Sequence, residues 1–166
     1  MRLFVACPMS PEMRRALLWV QESLRGQVRS AGFSRPENLH LTLAFLGETE
    51  HVGDAAEVVS RICCAPFPLE LEGTGCFGDV WWAGVSPSPA LAALAASLRA
   101  GLRAAGFSPD KAPFRPHITL ARRVRASAVP AVAVPHAAMT VSRVCLMKSE
   151  RLDGRLVYTE IAARIL

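Results

Sequence analysis

Two short segments of the chain alternate between polar and apolar side chains. Residues 39–46 read Leu-His-Leu-Thr-Leu-Ala-Phe-Leu, and residues 117–122 read His-Ile-Thr-Leu-Ala-Arg. A period of two is typical of a β-strand, in which successive side chains point to opposite faces of the sheet. We therefore predict two strands, and each has one face that carries a histidine and a threonine and another face that is apolar.

Three other segments repeat their apolar residues with helical spacing. The first predicted helix begins at Ser10-Pro11-Glu12, which supplies a hydroxyl N-cap, a proline at the first helical position and an acid in the first turn. A second helix is predicted over residues 52–64, and a third begins at residues 86–89 and ends near residue 105, before a glycine.

The remaining apolar segments predict further strands, several of which follow one another without a helix between them. This order favours an α+β fold with mostly antiparallel sheets over a doubly wound parallel sheet. Each histidine strand follows a long helix and a loop, so we expect two pseudo-symmetric lobes around a central cleft within a single domain over residues 1–166. These strands are residues 2–6, 68–73, 80–85 and a terminal hairpin of 139–148 and 155–162 that turns near Asp153-Gly154.

The composition is that of a compact protein with a basic surface that suits a phosphate ligand. Of 166 residues, 51% are hydrophobic and 20% are charged, which excludes global disorder. The net charge is +5, and arginine supplies 17 of the 19 basic residues. The planar guanidinium group donates two parallel hydrogen bonds to a phosphate, so arginine suits that ligand.

The sequence predicts neither a membrane segment nor a metal site. No apolar stretch approaches the roughly 20 residues that a bilayer-spanning helix needs. The five cysteines show no spacing typical of zinc sites, and their odd number favours free thiols in a reducing cytoplasm. We expect a cytoplasmic monomer without cofactor or metal.

The repeated His-x-Thr pattern is the strongest chemical signal. A single such pattern is more often structural, but two of the four histidines, His40 and His117, occupy the same position of the same pattern. Two imidazoles that titrate near neutral pH can serve as general acid and general base. The hydroxyl groups of Thr42 and Thr119 can bind phosphate oxygens between them. A pseudo-twofold cleft would place one histidine on each side of a phosphorus atom.

Other candidate residues flank the second motif. Strict alternation after Thr119 places Arg123 on the histidine face and Arg122 opposite, unless a bulge intervenes, and the sequence leaves open which arginine contacts phosphate. Phe114 lies three residues before His117 and is a candidate to stack on a base. Of Trp81 and Trp82, at most one can stack, because neighbouring strand residues face opposite ways.

The motifs and their flanks resemble the LigT-like branch of the two-histidine phosphoesterases, the RNA 2′,3′-cyclic phosphodiesterases. The similarity is strongest in residues 35–48 and 113–122 and extends weakly over the whole chain. This resemblance implies two α+β lobes around a cleft and hydrolysis of RNA 2′,3′-cyclic phosphate ends to 2′-phosphates. It also implies that His40 donates a proton and His117 accepts one. Some relatives join RNA ends through 2′–5′ linkages.

Two alternatives remain open at this point. The enzyme could act on small cyclic nucleotides rather than RNA, although the basic charge favours RNA. The chain could also be a nucleotide- or RNA-binding module without catalysis, and the retention of both histidines and both threonines argues against that.

Overall fold

The computed structural model describes all 166 residues, arranged as three α-helices, a 3₁₀ turn (Pro36–Asn38) and nine strands. The helices are α1 (Pro11–Arg25), α2 (Val52–Ser60) and α3 (Pro89–Ala104). The strands are β1 (Arg2–Pro8), β2 (Ser30–Phe33), β3 (His40–Glu48), β4 (Phe67–Phe77), β5 (Val80–Val85), β6 (His117–Arg125), β7 (Ala138–Val141), β8 (Arg143–Leu152) and β9 (Arg155–Ile165). None of the helices has the length and apolarity that crossing a membrane requires.

Serine hydroxyls fix where the two long helices begin. Ser10 Oγ accepts a hydrogen bond from the Met13 amide at 3.1 Å, and Ser88 Oγ accepts one from the Leu91 amide at 3.1 Å. Each bond satisfies one of the amides that the first helical turn leaves unpaired. The helix start predicted at Ser10 is confirmed, whereas α2 is shorter than predicted and ends at Ser60.

The strands form one antiparallel sheet in the order β7-β4-β5-β6-β3-β1-β8-β9, and β2 pairs with β6. The order is symmetric about its centre, since β3 and β6 pair in the middle and each has one strand-helix unit beside it. β1 precedes α1 and pairs with β3, while β5 precedes α3 and pairs with β6. The predicted α+β fold with two related halves is therefore confirmed.

The apolar faces of the two histidine strands lie in the main core. Leu41, Leu43, Ile118 and Leu120 are at most 1% exposed, and they pack with the apolar faces of α1 and α3. Burying one such side chain stabilises the fold by about 1.5–3 kcal/mol. A register slip by one residue would exchange these side chains with the polar ones, so burial fixes the polar side chains on the opposite face of the sheet.

Some predicted elements differ from the structure. The predicted strand 139–148 is interrupted at Ser142, so β7 pairs with β4 and only β8 pairs with β9. β2 was not predicted, because its sequence, Ser-Ala-Gly-Phe, has no alternating pattern. The hairpin turn predicted at Asp153-Gly154 is confirmed, and both residues adopt the positive φ values, 50° and 76°, that a two-residue type I′ turn requires.

Candidate functional site

The two histidines begin the two central strands of the sheet. His40 is the first residue of β3 and His117 the first of β6, and these strands pair antiparallel at the residues that follow. Continuing that register by one residue sets His40 opposite Thr119 and His117 opposite Thr42. Residues directly opposite in an antiparallel ladder share a face, and diagonal neighbours lie about 7–8 Å apart. The predicted quartet therefore lies on one face of the sheet, with the histidines on a diagonal.

Backbone carbonyls orient both imidazole rings in the same way. His40 Nδ1 donates to the Asn38 carbonyl oxygen at 2.6 Å, and His117 Nδ1 donates to the Arg115 carbonyl oxygen at 2.6 Å. A carbonyl oxygen only accepts, so Nδ1 carries the proton in each neutral ring and Nε2 carries the lone pair. The Nε2 atom of His40 lies 2.9 Å from Thr42 Oγ1. Each Nε2 can therefore accept a proton, or donate one after the ring is protonated.

Burial and neighbouring charge make the His40 imidazolium more acidic than an ordinary one. Burial lowers the pKa of His40 below its ordinary value, and the positive charges of Arg122 and His117 lower it further. The hydrogen bond to the Asn38 carbonyl opposes this shift. The charge of one histidine thus acts on the other across the face they share, and a bound anion would favour the protonated state of His40.

Two aromatic rings enclose His40. The Phe4 centroid lies 4.9 Å from the imidazole centroid, and Tyr158 lies edge-on at 5.2 Å with an interplanar angle of 83°. Burial raises the pKa of Tyr158, although the charges of Arg122 and Arg2 oppose that shift. At neutral pH the phenol is therefore protonated and can donate a hydrogen bond into the site.

Two different rings flank His117. Phe77 meets it edge-on at 5.2 Å, and the indole of Trp82 lies 6.3 Å away. The sequence analysis did not identify Phe77, which lies on β4 far from both motifs in the chain. Trp81 is 8% exposed and packs on Leu24 of α1, so the two tryptophans face opposite sides of the sheet as predicted.

A basic cavity of about 400 Å³ lies beside His40. Four arginines line it, together with polar groups that include Asn38, Thr119 and Tyr158, and none of its lining residues is acidic. Glu37 pairs with Arg35 at 2.6 Å, whereas the other three arginines form no ion pair. A cavity with this lining is suited to an anion, because free guanidinium groups attract and hydrogen-bond phosphates. The four arginines are Arg35, Arg122, Arg123 and Arg151.

A bulge decides where the two arginines of the second motif lie. The pairing of β5 with β6 shifts register between Trp81 and Trp82, and Arg123 has a left-handed φ of 54°. The expectation from strict alternation, with Arg122 away from the histidine face, is wrong. Arg122 lines the cavity and its charge reaches His40, because an added residue in one strand reverses the alternation beyond it.

Phe114 is not among the rings that contact either histidine. It packs partly against the main core, and the Arg99 guanidinium lies over its ring at 5.2 Å. The rings beside the histidines come instead from β1, β4, β5 and β9, and of these the sequence analysis had named Trp82 as a stacking candidate.

The chain resembles known proteins over most of its length. Residues 14–153 match the family described as the 2′-5′ RNA ligase superfamily. An RNA 2′,3′-cyclic phosphodiesterase of Archaeoglobus fulgidus is 36% identical over 129 residues, covering 74% of this chain and 72% of that protein. An RNA 2′,3′-cyclic phosphodiesterase of Geobacillus stearothermophilus is 32% identical over 129 residues, which cover 72% of this chain but 41% of that protein.

The fold is similar to a solved structure as well. The crystal structure of E. coli LigT complexed with 3′-AMP matches this chain with a TM-score of 0.88 and 29% sequence identity. The match covers 99% of this chain and 97% of that one.

Proposed function

This chain belongs to the 2′-5′ RNA ligase superfamily, and we propose that it hydrolyses the 2′,3′-cyclic phosphate at RNA ends to a 2′-phosphomonoester. The observation that carries the proposal is the diagonal pair of histidines on one sheet face, each with Nδ1 bonded to a carbonyl. The curated relatives named RNA 2′,3′-cyclic phosphodiesterase support it.

In the proposed reaction the two histidines take opposite roles. His117 Nε2 accepts a proton from water as the water oxygen attacks phosphorus, and the bond from phosphorus to O3′ breaks. His40 Nε2 donates its proton to the leaving O3′, and the 2′-phosphate remains. The lowered pKa makes protonated His40 a stronger acid toward the leaving oxygen, and the negative charge of the bound phosphate favours that protonated form. Each proton transfer contributes roughly 10²–10⁴ in rate.

Hydroxyl and guanidinium groups hold the phosphate in this proposal. Thr42 and Thr119 bind the two non-bridging oxygens from opposite sides, and Arg122 supplies a positive charge that acts on His40 as well. Arg123 lines the same cavity and contacts the phosphate or its neighbour along the chain. These interactions stabilise the charge that develops on phosphorus oxygens in the transition state. The base-stacking role predicted for Phe114 is not part of this proposal.

We propose RNA rather than small cyclic nucleotides as the substrate. Three of the four arginines beside His40 form no ion pair, since only Arg35 pairs with a glutamate. They offer more positive charge than one phosphate requires, and successive phosphates of an RNA chain would use it. The same step, with a 5′-hydroxyl in place of water as the attacking group, would join RNA ends through a 2′–5′ linkage. We propose that catalysis needs no metal, since the imidazoles supply both acid and base, and that the protein acts as a monomer in the cytoplasm.

An assay in EDTA tests the proposal. Purified protein is incubated with an oligoribonucleotide that ends in a 2′,3′-cyclic phosphate and, separately, with cyclic mononucleotides, and products are identified by phosphorus NMR. The expected product is the 2′-phosphate, with higher kcat/KM for the oligonucleotide. A 3′-phosphate product, or activity only after metal is added, refutes the mechanism.

A further inference from the structure

A cavity of about 820 Å³ lies between α2 and α3. Both helices pack on the main core, which covers the face of the sheet opposite the histidines. Most of the cavity's lining residues are hydrophobic, and Leu94 and Leu98 of α3 form part of its wall. It shares no lining residue with the arginine cavity beside His40. The reaction proposed above therefore leaves this cavity without a role.

Two adjacent cysteines, Cys63 and Cys64, line this cavity just after the end of α2. Cys63 is exposed and Cys64 is partly buried, so solvent reaches both residues. The segment is fixed just before them, because Ile62 is 8% exposed and its carbonyl accepts a hydrogen bond from Arg164 Nε at 3.1 Å. Cys64 Sγ donates to the Ala65 carbonyl oxygen at 3.2 Å. A thiol-seeking ligand in the cavity therefore meets two sulfur atoms on one short, anchored segment.

The other three cysteines do not compete for such a ligand. Burial raises the pKa of Cys7 and of Cys145 to about 12, so both stay protonated at neutral pH. The thiolate, rather than the thiol, is the reactive form. Cys76 is exposed, but it belongs to β4 and does not line the cavity. Cys63 and Cys64 are therefore the one pair of accessible thiols that share a cavity.

The spacing of these two cysteines favours an atom that bridges the sulfurs over a direct disulfide. The Cα atoms of consecutive residues lie about 3.8 Å apart across a trans peptide. Disulfides usually join Cα atoms about 4.4–6.8 Å apart, so residues adjacent in sequence are too close for relaxed disulfide geometry. A larger atom bonded to both sulfurs lengthens the bridge and removes this restriction. Soft acceptors prefer thiolate ligands, so the bridging atom should be a soft one.

We propose that Cys63 and Cys64 form a dithiol site that binds a trivalent organic arsenical, with its organic group in the apolar cavity between α2 and α3. Trivalent arsenic is a soft acceptor that bonds to two sulfurs at once. The hydrophobic lining of the cavity suits the organic group, as in other small-molecule sites. The site is independent of the proposed function, since it uses no residue of the histidine site.

The binding step is a condensation, written here for phenylarsine oxide as the probe. Each sulfur forms a bond to arsenic, and the bond from arsenic to oxygen breaks. The two thiol protons leave with that oxygen as one molecule of water, and arsenic stays trivalent. Because the second thiol is tethered beside the first, the pair should bind about 10²–10⁴-fold more tightly than a single thiol.

The test compares adduct formation in the wild-type protein and in three serine variants. Each protein is incubated with phenylarsine oxide and an excess of 2-mercaptoethanol, which removes arsenic from single thiols, and adducts are counted by intact-protein mass spectrometry. The wild type and the Cys76→Ser control should each carry one phenylarsenic group, which dithiothreitol removes. Cys63→Ser and Cys64→Ser should each need at least about 10² times more arsenical for the same occupancy. Neither position is buried, so serine leaves the fold intact.

Three results overturn the assignment. A wild-type protein without an adduct that resists 2-mercaptoethanol has no dithiol site. An adduct that survives unchanged in Cys63→Ser or in Cys64→Ser shows that the substituted thiol is not a ligand. In the first of these cases Cys7 is the second ligand, because it lies close enough to Cys64 for their charges to interact. Loss of the adduct in Cys76→Ser shows that the arsenical bridges a different pair of thiols.

Discussion

Valine in place of each motif threonine tests how the phosphate is held, because it keeps the shape of the side chain and removes the hydroxyl. A hydrogen bond to a charged group is worth about 1.5–3 kcal/mol, which corresponds to a loss of about 10- to 150-fold in affinity. In the free protein Thr42 Oγ1 already lies 2.9 Å from His40 Nε2, so its bond to phosphate replaces an existing one. The structure shows no comparable bond for Thr119 Oγ1, which lines the basic cavity.

The two variants should therefore differ in a definite order. Thr119→Val is expected to lose affinity near the upper end of that range, because Thr119 gives up no existing hydrogen bond when it binds the phosphate. Thr42→Val is expected to lose affinity near the lower end, because Thr42 must give up its hydrogen bond to His40 when it binds the phosphate. Calorimetric titration with 2′-AMP, the product that opening of 2′,3′-cyclic AMP would give, measures the dissociation constants of both threonine variants.

Thr159→Val is the matched control, because Thr159 is exposed on β9, which β1 and β8 separate from the nearer motif strand, β3. Its dissociation constant should equal that of the wild type. A change of less than twofold in both motif variants would show that neither hydroxyl binds phosphate. A larger loss for Thr42→Val than for Thr119→Val would contradict the argument from the existing hydrogen bond.

Three further perturbations bear on the same site. His40→Ala and His117→Ala are each expected to lower kcat for cyclic phosphate opening by at least about 10², whereas the exposed His51→Ala should be neutral; near-normal turnover in either motif variant removes that histidine from the chemistry. Hydrolysis needs His40 protonated, so kcat/KM falls as pH rises through its lowered pKa. Arg122→Gln removes a positive charge that lowers this pKa, so the fall of kcat/KM on the alkaline side of the pH profile should move to higher pH. An unchanged pH profile would contradict an effect of the Arg122 charge on His40. Gly75→Ala forces a Cβ to within 2.3 Å of the Trp82 indole, and urea denaturation should show a loss of about 1–3 kcal/mol; unchanged stability contradicts the close approach.

The sequence correctly predicted helix starts and turns that depend on interactions between residues close together in the chain. The helix start at Ser10 follows from a side chain that bonds an amide three residues later. The turn at Asp153-Gly154 follows from two residues that tolerate positive φ. The second helix was predicted four residues too long, because the apolar residues beyond Ser60 continue the helical pattern while the chain already leaves the helix.

The site could be predicted only where one segment carries its own signal. His40 and His117 stand out because alternation and repetition are visible within each strand. The rings of Phe4, Tyr158 and Phe77 come from strands whose order in the sheet is decided by long-range pairing, which no local pattern encodes. Helical and strand periodicity also cannot locate a register shift.

The bulge in β6 shows this limit most directly. A strict period of two directs Arg122 away from the histidines, and the shift opposite Trp81 and Trp82 directs it toward them. Such a shift depends on the partner strand as much as on β6 itself, so the sequence of the motif alone leaves the positions of the two arginines undecided.

The central claim is that one phosphoryl group touches both imidazoles at once. A crystal structure with bound 2′-AMP measures this directly. We predict that Nε2 of His40 and Nε2 of His117 each lie about 2.6–3.2 Å from different oxygens of the same phosphorus. A phosphate held by only one of these rings, with the other out of hydrogen-bond reach, would contradict the account.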